Sequence, residues 1–385
     1  MKKVPFKIML FALSTLLIIP ASVLADHTQD IGTPRFTIDD VFTSDLKPFA
    51  IGHRGYGVNL GADPDRPIEN TTKSIRRAFR EGVQIVEVDA NLTADGVAVA
   101  LHDDFFLSDL TCVNSYTFEQ LQDKLPDVSS LRQILQVSRT YSVMKNSDRP
   151  SGQVVVEIKT PSPHCVSREA EQDYLMALVG SVLKDIKFSR MVDQVSIESF
   201  SPEILAYVAA IDAAEGLNIP RMLAIDVLQL LPLEDIQGIP GYHVEIIEDK
   251  DLFGLTWGEI GVDTPYGILW VYRLPGYYTE DPGGPFLKYI MTLLGTGSST
   301  ASLDKNILFL AETFGLSASF IVDALHFGLP GMPPWSFSVL VFTVDFGHPE
   351  DPDYPDYSEW VFLSEAGVDG MYVDDIPQGL MMEGQ

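Results

Sequence analysis

The segment that decides the fold is residues 86–104, VEVDANLTADGVAVALHDD, which predicts a buried strand, a tight turn and a return strand. Glu87 and Asp89 are two positions apart, so a strand directs both carboxylates to the same face. An Asp-Gly pair at residues 95–96 is a strong signal for a hairpin turn. The turn lies about midway along the segment, and it therefore folds His102 back beside the acidic pair.

Short strand-like runs recur along the chain. Eight segments are rich in β-branched and other apolar residues: 48–51, 84–89, 154–158, 194–197, 221–225, 267–272, 340–344 and 370–373. Helical patterns lie between several of them, and this alternation is typical of parallel α/β architecture. An open doubly wound sheet is the competing form. Polar residues stand at the strand ends, however, and in a closed barrel these ends meet at one mouth. The sequence therefore predicts a single (β/α)8 TIM barrel.

Residues 227–334 depart from this regularity. They are rich in proline, glycine and aromatic residues, and they are too long for one loop and helix. We interpret them as an insertion in the sixth βα unit that overhangs the mouth of the barrel. A structural elaboration packed on the side of the barrel is the alternative.

Residues 1–25 combine three lysines, an apolar run and a small-residue ending, Val-Leu-Ala. This pattern predicts a secretory signal that is removed, which leaves residues 26–385 as one barrel domain. An uncleaved anchor helix is the alternative, although the run is shorter than the roughly 20 residues that a bilayer requires. We therefore expect a periplasmic or secreted protein with no stable membrane span after cleavage.

The chain is strongly acidic. Without the signal it holds 23 basic and 54 acidic residues, a net charge of −31. Such a charge repels phosphate backbones and anionic lipid surfaces, so nucleic acid is excluded as a partner. The sequence does not determine the oligomeric state.

Polar groups that suit phosphate chemistry follow the first predicted strand. His53 is a proton carrier and Arg54 a fork for phosphate oxygens, and a flexible glycine follows them. The two carboxylates of residues 86–104 would repel each other inside a barrel unless a cation lay between them. A hard divalent ion explains them most simply, and a solvent-facing edge strand is the alternative. Glu157 and Lys159 repeat the same spacing after another apolar strand.

The motifs together resemble the glycerophosphodiester phosphodiesterase family, in the form of its exported bacterial members. They are GHRG at 52–55, PIENT at 67–71, residues 86–104, VVEIKTP at 155–161, FTVD at 342–345 and GVDGMYVD at 367–374. The joint match is far more specific than any one motif, and it extends from about residue 49 to about residue 377. One departure is Phe342, where the family commonly has a Trp or Tyr.

The resemblance implies a role for each matching residue. It gives Glu69, Glu87, Asp89 and Glu157 as ligands of one Ca2+ or Mg2+ ion, His53 and His102 as the acid/base pair, and Arg54 and Lys159 as groups that hold the phosphodiester. The expected reaction is hydrolysis of a small glycerophosphodiester to sn-glycerol 3-phosphate and an alcohol. A phospholipase D-like hydrolase of lysophospholipids and a non-catalytic exported binding protein remain alternatives. No catalytic role is assigned to His164.

The chain has two cysteines, Cys112 and Cys165, which an oxidising compartment permits to pair. Each follows a predicted barrel strand, so both are expected in neighbouring loops at the mouth. Two unconnected thiols are the alternative, because sequence positions alone give no proof of proximity.

Overall fold

A computed structural model describes residues 34, 36–144, 149–247, 253–265, 267–279, 284–346 and 356–384. The predicted signal segment, residues 1–25, lies outside the described residues. Residues 34–385 form one compact unit.

A closed barrel of eight parallel strands forms the centre of this unit. The strands of the described residues are β1 Phe49–Gly52, β2 Ile85–Leu92, β3 Ala98–Ala100, β4 Ser129–Ser130, β5 Gln153–Ile158, β6 Val195–Ser199, β7 Arg221–Ile225, β8 Tyr242–Ile247, β9 Thr256–Thr264, β10 Gly267–Gly276, β11 Thr300–Asp304, β12 Ser338–Val344 and β13 Gly370–Val373. The barrel order is β1, β2, β5, β6, β7, β11, β12 and β13, and β1 pairs with both β2 and β13 to close it. The predicted barrel is confirmed.

Helices surround the barrel and connect its strands. In chain order they are α1 Ile38–Phe42, α2 Thr72–Glu81, α3 Phe118–Lys124, α4 Leu131–Ser142, α5 Arg168–Ser189, α6 Pro202–Glu215, α7 Leu233–Gln237, α8 Gly284–Thr296, α9 Lys305–Thr313, α10 Ala318–Phe327, α11 Ser358–Glu365 and α12 Ile376–Met382. The start of α2 follows from its sequence, because the Thr71 side chain accepts a hydrogen bond from the Ser74 amide. Its end is set by Gly82, whose φ of 111° lies in the left-handed region. Among the described helices, none is long and apolar enough to cross a membrane.

Two assignments within residues 227–334 are wrong. The run 267–272 belongs to β10, which pairs antiparallel with β9 in a separate sheet of three strands, β8 to β10. The sixth barrel strand is instead β11, which pairs parallel with β7 and β12. The insertion therefore follows the fifth barrel strand and lies in the fifth βα unit, not the sixth. Residues 305–334 form the ordinary sixth unit, with α9 and α10.

The barrel wall separates apolar packing from polar chemistry by strand alternation. Val86 and Val88 of β2 face outward into the large core beneath the helices. The alternate residue Ile85 faces the barrel interior, where it packs with residues such as Phe49 and with Ile38 of α1. Glu87 and Asp89 continue the inward face of β2 toward the carboxyl end of the strand. The polar residues thus lie at the mouth, above an apolar interior.

Candidate active site

Three buried carboxylates meet at the mouth of the barrel. The strands β2 and β5 are hydrogen-bonded neighbours, and their register sets Asp89 opposite Glu157. Ligand oxygens of Glu87, Asp89 and Glu157 all lie within 4.8 Å of one another. The side chains of Glu87 and Asp89 are almost fully buried. The sequence prediction that these residues converge is therefore met by the geometry, although their roles stay predictions.

Two cations neutralise part of this cluster. The Nζ atom of Lys159 lies 2.9 Å from Asp89 Oδ1 and 2.8 Å from Glu157 Oε1. The Nε atom of Arg54 lies 3.6 Å from Asp89 Oδ2. Burial opposes ionisation of Asp89, but the charges of Lys159, His102 and Arg54 together outweigh it and hold the pKa of Asp89 well below its usual range. Lys159 and Arg54 are therefore close enough to the carboxylates to act in the same site.

Glu87 is the carboxylate that these cations do not neutralise. Burial raises its pKa well above the usual range, and the negative charges of Asp89 and Glu157 raise it further. Its Oε2 atom accepts a hydrogen bond from the Arg54 amide at 2.9 Å. Its Oε1 atom is buried, and within the described part of the chain it has no hydrogen-bond partner.

These observations fit a bound divalent cation. The three clustered carboxylates, Glu87, Asp89 and Glu157, lie beside two permanent cations, Arg54 and Lys159, which leaves one negative charge in excess when all three are ionised. An orphaned carboxylate oxygen beside two others is also what a hard cation with oxygen ligands requires. Glu87, Asp89 and Glu157 would hold such an ion, and its identity as Ca2+ or Mg2+ is not settled by the donor set.

Glu69, the fourth ligand that the resemblance implies, contacts Arg54 in this structure. Its Oε1 atom accepts a hydrogen bond from Arg54 Nη1 at 2.8 Å. Its Oε2 atom accepts one from the Asn59 amide at 3.1 Å. Glu69 thus orients the Arg54 guanidinium, and its role as a metal ligand stays a prediction.

His53 follows β1 and presents one ring nitrogen to the site. Its Nδ1 atom lies 2.8 Å from Asp374 Oδ1, and a carboxylate can only accept, so Nδ1 carries the proton. Arg54 Nε lies 3.3 Å from the other nitrogen, Nε2, which is consistent with a lone pair there. Burial opposes ionisation of Asp374, but the hydrogen bond and charge of His53, together with the Val58 amide, outweigh burial and lower the pKa of Asp374. The arrangement leaves Nε2 of His53 able to take up a proton.

His102 also lies at the mouth and has a similar partner. Its Nδ1 atom is 2.7 Å from Oδ1 of Asp103, the next residue along the chain. Antiparallel pairing of β2 with β3 brings it there, with Ala90 opposite Ala100 at the end of the ladder. The hairpin predicted from the Asp-Gly turn is thus present, and it carries His102 to the carboxylate cluster.

One cavity joins the two histidines to the cluster. Its volume is about 660 Å³, and His53, His102, Glu87, Glu157 and Lys159 are among the residues that line it. Phe342 also lines it and packs edge-on against Phe200, with ring centroids 5.6 Å apart, so the substitution of Trp or Tyr by Phe keeps an aromatic wall.

The insertion forms the outer part of this cavity. Tyr242 of β8 and Val271, Tyr272 and Leu274 of β10 line it. The insertion therefore overhangs the mouth and does not lie only on the side of the barrel.

Buried ion pairs fix the insertion sheet to the barrel. Arg273 of β10 is 2% exposed. Its guanidinium lies 2.7 Å from Glu259 of β9 and 3.0 Å from Glu171 of α5. Arg168, also on α5, lies 2.8 Å from Glu259. These ion pairs join the insertion sheet to α5 and so hold the sheet in place over the mouth.

A disulfide joins two loops of the mouth. Cys112, in the loop after His102, is bonded to Cys165, in the loop after β5, and their Cα atoms are 5.6 Å apart. In the same pair of loops, Asp104 Oδ2 accepts a hydrogen bond from the Ser162 amide at 2.8 Å. His164 Nε2 lies 2.8 Å from the Leu110 carbonyl oxygen, which gives this histidine a structural contact in the loop.

We expect replacement of both cysteines by serine to lower the free energy of unfolding by roughly 3 to 4 kcal/mol, because the disulfide restricts a long loop in the unfolded chain. The bond spans a sequence separation of 53 residues. Urea unfolding of the unreduced protein and of the double variant measures the difference. A reductant should destabilise the original chain and leave the double variant unchanged. Equal unfolding midpoints without reductant would contradict the prediction.

Sequence reasoning missed three residues that belong to the site. Asp374 was noticed only as part of a motif. Asn70 donates from Nδ2 to Asp89 Oδ2 at 2.7 Å and accepts from the Asp89 amide at 3.1 Å. Glu198 of β6 accepts a hydrogen bond from the Tyr372 hydroxyl at 2.8 Å, and burial together with Glu157 raises the pKa of Glu198 to about 7. The signal for Glu198 was a carboxylate near the end of a strand, VSIES, as in the other acidic strands.

The part of the chain that forms most of this cavity matches a known protein family. Residues 53–230 match the model of the glycerophosphoryl diester phosphodiesterase family. The matched range contains both site histidines and the three clustered carboxylates. Residues 53–230 belong to this family.

Three known proteins are similar to this chain, one in a short stretch of sequence and two in fold. A chloroplastic glycerophosphodiester phosphodiesterase of Arabidopsis thaliana is 35% identical over 63 residues, which are 15% of this chain and only 18% of that protein. A Silicibacter pomeroyi protein assigned to the glycerophosphoryl diester phosphodiesterases aligns with 90% of this chain and 96% of its own, with 16% identity and a TM-score of 0.53. An Oleispira antarctica phosphodiesterase, in complex with the product sn-glycerol-3-phosphate, aligns with 87% of this chain and 96% of its own, with 15% identity and a TM-score of 0.51. At these identities the two structures establish a shared fold.

Proposed function

We propose that this protein hydrolyses glycerophosphodiesters to sn-glycerol 3-phosphate and an alcohol, with one divalent cation and a pair of histidines. The observation that carries the proposal is the cavity in which His53 and His102, each with a carboxylate partner at Nδ1, share a wall with the cluster of Glu87, Asp89 and Glu157. Membership of the family supports the choice of a phosphodiester as substrate.

In the proposed reaction each side chain has a separate task. Arg54 and Lys159 bind the non-bridging oxygens of the phosphodiester and offset charge that develops there. A cation held by the carboxylate cluster would supply further positive charge at the same oxygens. One imidazole takes a proton from the attacking oxygen, and the other, protonated, gives a proton to the departing alcohol oxygen. The phosphorus–oxygen bond to that alcohol breaks as the new bond forms.

The attacking oxygen has two possible sources, water or the neighbouring hydroxyl of the glycerol. The second source would give a cyclic phosphate that is then opened by water. Both routes place the same proton transfers on His53 and His102. Detection of a cyclic glycerophosphate by phosphorus NMR during turnover would establish the second route.

The direct test is an assay of the purified protein. Release of sn-glycerol 3-phosphate is measured from glycerophosphocholine, glycerophosphoethanolamine and glycerophosphoglycerol, first with Ca2+ and then with Mg2+. We expect release from at least one substrate. If no substrate releases product with either ion, hydrolysis is rejected. Calorimetric binding of a glycerophosphodiester in that case would indicate an exported binding protein instead.

The apolar outer wall of the cavity favours a second candidate, a phospholipase D-like hydrolase of lysophospholipids. Phe105, Leu107, Val271 and Leu274 line this part of the cavity, and Leu107 is 73% exposed. Such a wall suits an acyl chain. The ratio of kcat/KM for long-chain lysophosphatidylcholine to kcat/KM for glycerophosphocholine separates the candidates. We expect a ratio below one, and a ratio well above one that falls in a Leu107→Ser variant would favour the lipid substrate.

We also propose that the protein works in the periplasm or outside the cell. The composition of residues 1–25 supports export, and the bond between Cys112 and Cys165 suits an oxidising compartment. Expression of the full chain in a bacterial host, followed by fractionation and N-terminal sequencing, tests this. Retention of residues 1–25 in a cytoplasmic fraction would contradict it.

A further inference from the structure

Asn91 lies where the hairpin that carries His102 separates. The β2–β3 ladder ends at the pair Ala90 and Ala100, so the carbonyl groups of Leu101 and His102 lie beyond its last pairing. The Asn91 side chain supplies hydrogen bonds to these two carbonyl groups in place of a partner strand. Its Nδ2 atom donates to the Leu101 carbonyl at 2.9 Å and to the His102 carbonyl at 3.3 Å.

The orientation of this amide is fixed by its neighbours. Both contacts are carbonyl oxygens, which only accept, so the nitrogen of Asn91 must face them. Asn91 is 0% exposed, and within the described residues its Oδ1 atom has no hydrogen-bond partner. Buried polar side chains are generally satisfied, and Asn91, one of the exceptions among the described residues, lines the cavity. The Asn91 amide therefore belongs to the wall of the site, and it differs from a core amide whose hydrogen bonds are all made.

The other supports of His102 lie in the mouth loops and do not reach a barrel strand. Its ring partner, Asp103, is the adjacent residue in the same loop, and its side chain is about half exposed. The bond from Ser162 to Asp104 and the disulfide brace the outer part of this loop. In the described part of the chain, the hydrogen bonds of His102 go to Asp103 and to Asn91. Asn91 is thus the contact that ties His102 to a barrel strand.

The same strand also carries part of the carboxylate cluster. Glu87, Asp89 and Asn91 alternate along β2, so they share its inward face. A rigid strand that holds two of the carboxylates therefore also sets the position of the imidazole relative to them. Small errors in such a position are costly, since misplacement by about 1 Å can slow an enzyme about 100-fold.

We propose that Asn91 is a positioning residue that holds His102 in its reactive place through the two carbonyl groups. This inference rests on the proposed function, because that function makes His102 a proton carrier. Asn91 itself need not contact the substrate.

A double-mutant cycle tests the inference on glycerophosphocholine. We expect Asn91→Leu to lower kcat by about 10- to 100-fold with KM changed by less than about twofold. In a His102→Ala background the same change should have no further effect, because both act through one group. The matched control is Gln194→Leu, which removes a buried amide that donates to the Phe36 carbonyl at 2.9 Å in the α1 segment, away from the cavity residues. Its kcat should match that of the original chain.

Three results would overturn the inference. They are an unchanged kcat in Asn91→Leu, a loss confined to KM, or an equal loss in the presence and absence of His102. If Asn91→Leu does not fold, Asn91→Ser serves instead, since its hydroxyl is too short to reach the carbonyl groups. The same loss of kcat is expected.

Nitrogen NMR of the histidine rings separates this inference from the proposed function. We expect one narrow set of His102 ring signals in the original chain and in Gln194→Leu, and broadened or multiple sets in the Asn91 variants. If the protein hydrolyses no glycerophosphodiester, the proposed function fails and the NMR comparison still decides the positioning role. Identical His102 signals in all variants would overturn it.

Discussion

Replacement of His53 by alanine should lower kcat for glycerophosphocholine by about 10²- to 10⁴-fold, the usual contribution of a general acid or base. His53 is held by Asp374 at 2.8 Å, and its free nitrogen faces Arg54 and the cavity. Alanine removes that nitrogen, and the fold should stay intact because the ring is not part of the apolar core. Steady-state kinetics and circular dichroism of the variant measure both effects.

The chain offers a matched control for this prediction. His164 is also a histidine of the mouth loops, but its Nε2 atom is engaged with the Leu110 carbonyl. We expect His164→Ala to keep kcat within a few fold of the original value. Near-normal turnover in His53→Ala, or an equal loss in both variants, would reject the assignment of His53.

Thorough removal of divalent cations should abolish hydrolysis by the protein, and addition of Ca2+ or Mg2+ should restore this activity. Charge stabilisation by a bound cation contributes several kcal/mol, which corresponds to a loss of about 10³-fold or more. The reason lies in the excess negative charge of the cluster, where Glu87 keeps an unpartnered oxygen. Turnover that persists after dialysis against a chelator would remove the cation from the proposed function.

The effect of a cation on stability should grow with pH. Burial, Asp89 and Glu157 raise the pKa of Glu87 above its value in the unfolded chain. A carboxyl with a raised pKa in the folded state costs stability as pH rises from the unfolded pKa through the folded one, because the ionised form is the disfavoured one. A bound cation offsets this cost and competes with the proton, so its stabilising effect is largest above the folded pKa of Glu87.

Thermal unfolding with Ca2+ and with a chelator, at several values between about pH 5 and about pH 8, measures this difference. We expect the gap in melting temperature to widen as pH rises. In Glu87→Gln the gap should shrink and lose its dependence on pH. Asp185→Asn is the control, since Asp185 is a buried carboxylate paired with Arg132 on the helical layer, and it should keep the gap. A gap that narrows with rising pH would contradict the prediction.

The sequence was sufficient for the parts of the site that follow from local spacing. Two-residue alternation placed Glu87 and Asp89 on one face, and a recognisable turn returned His102 to them. Seven of the eight predicted barrel strands were correct for the same reason, since apolar β-branched runs identify buried strands.

The failure to predict β11 and the wrong assignment of residues 267–272 to the barrel have the same physical cause. In β11, TASLD, polar residues alternate with Ala301 and Leu303, so the run is not continuously apolar. Ser302 is fully buried in this strand and lies near the Glu198 carboxylate, whose pKa it helps to lower. The segment within β10 is more apolar and aromatic, and it was preferred although it builds a separate sheet. Hydrophobicity identified a strand there but not the sheet to which it belongs.

Partners that are far apart in sequence could not be predicted. Asp374 meets His53 across 321 positions, and Tyr372 meets Glu198 across 174. Their pairing depends on closure of the barrel, which brings β13 beside β1. The contacts of Glu69 with Arg54 and with the Asn59 amide are likewise not predictable from spacing.

The place of the insertion has a consequence for how this chain can change over time. The polypeptide leaves the barrel after β7 and returns through α8, while β7 and β11 stay hydrogen-bonded to each other. The groups that would hold phosphate lie on other strands. Substitutions among residues such as Tyr272 and Leu274 are therefore free to alter which alcohol fits while the reactive groups stay as they are, so substrate range and chemistry are able to evolve separately.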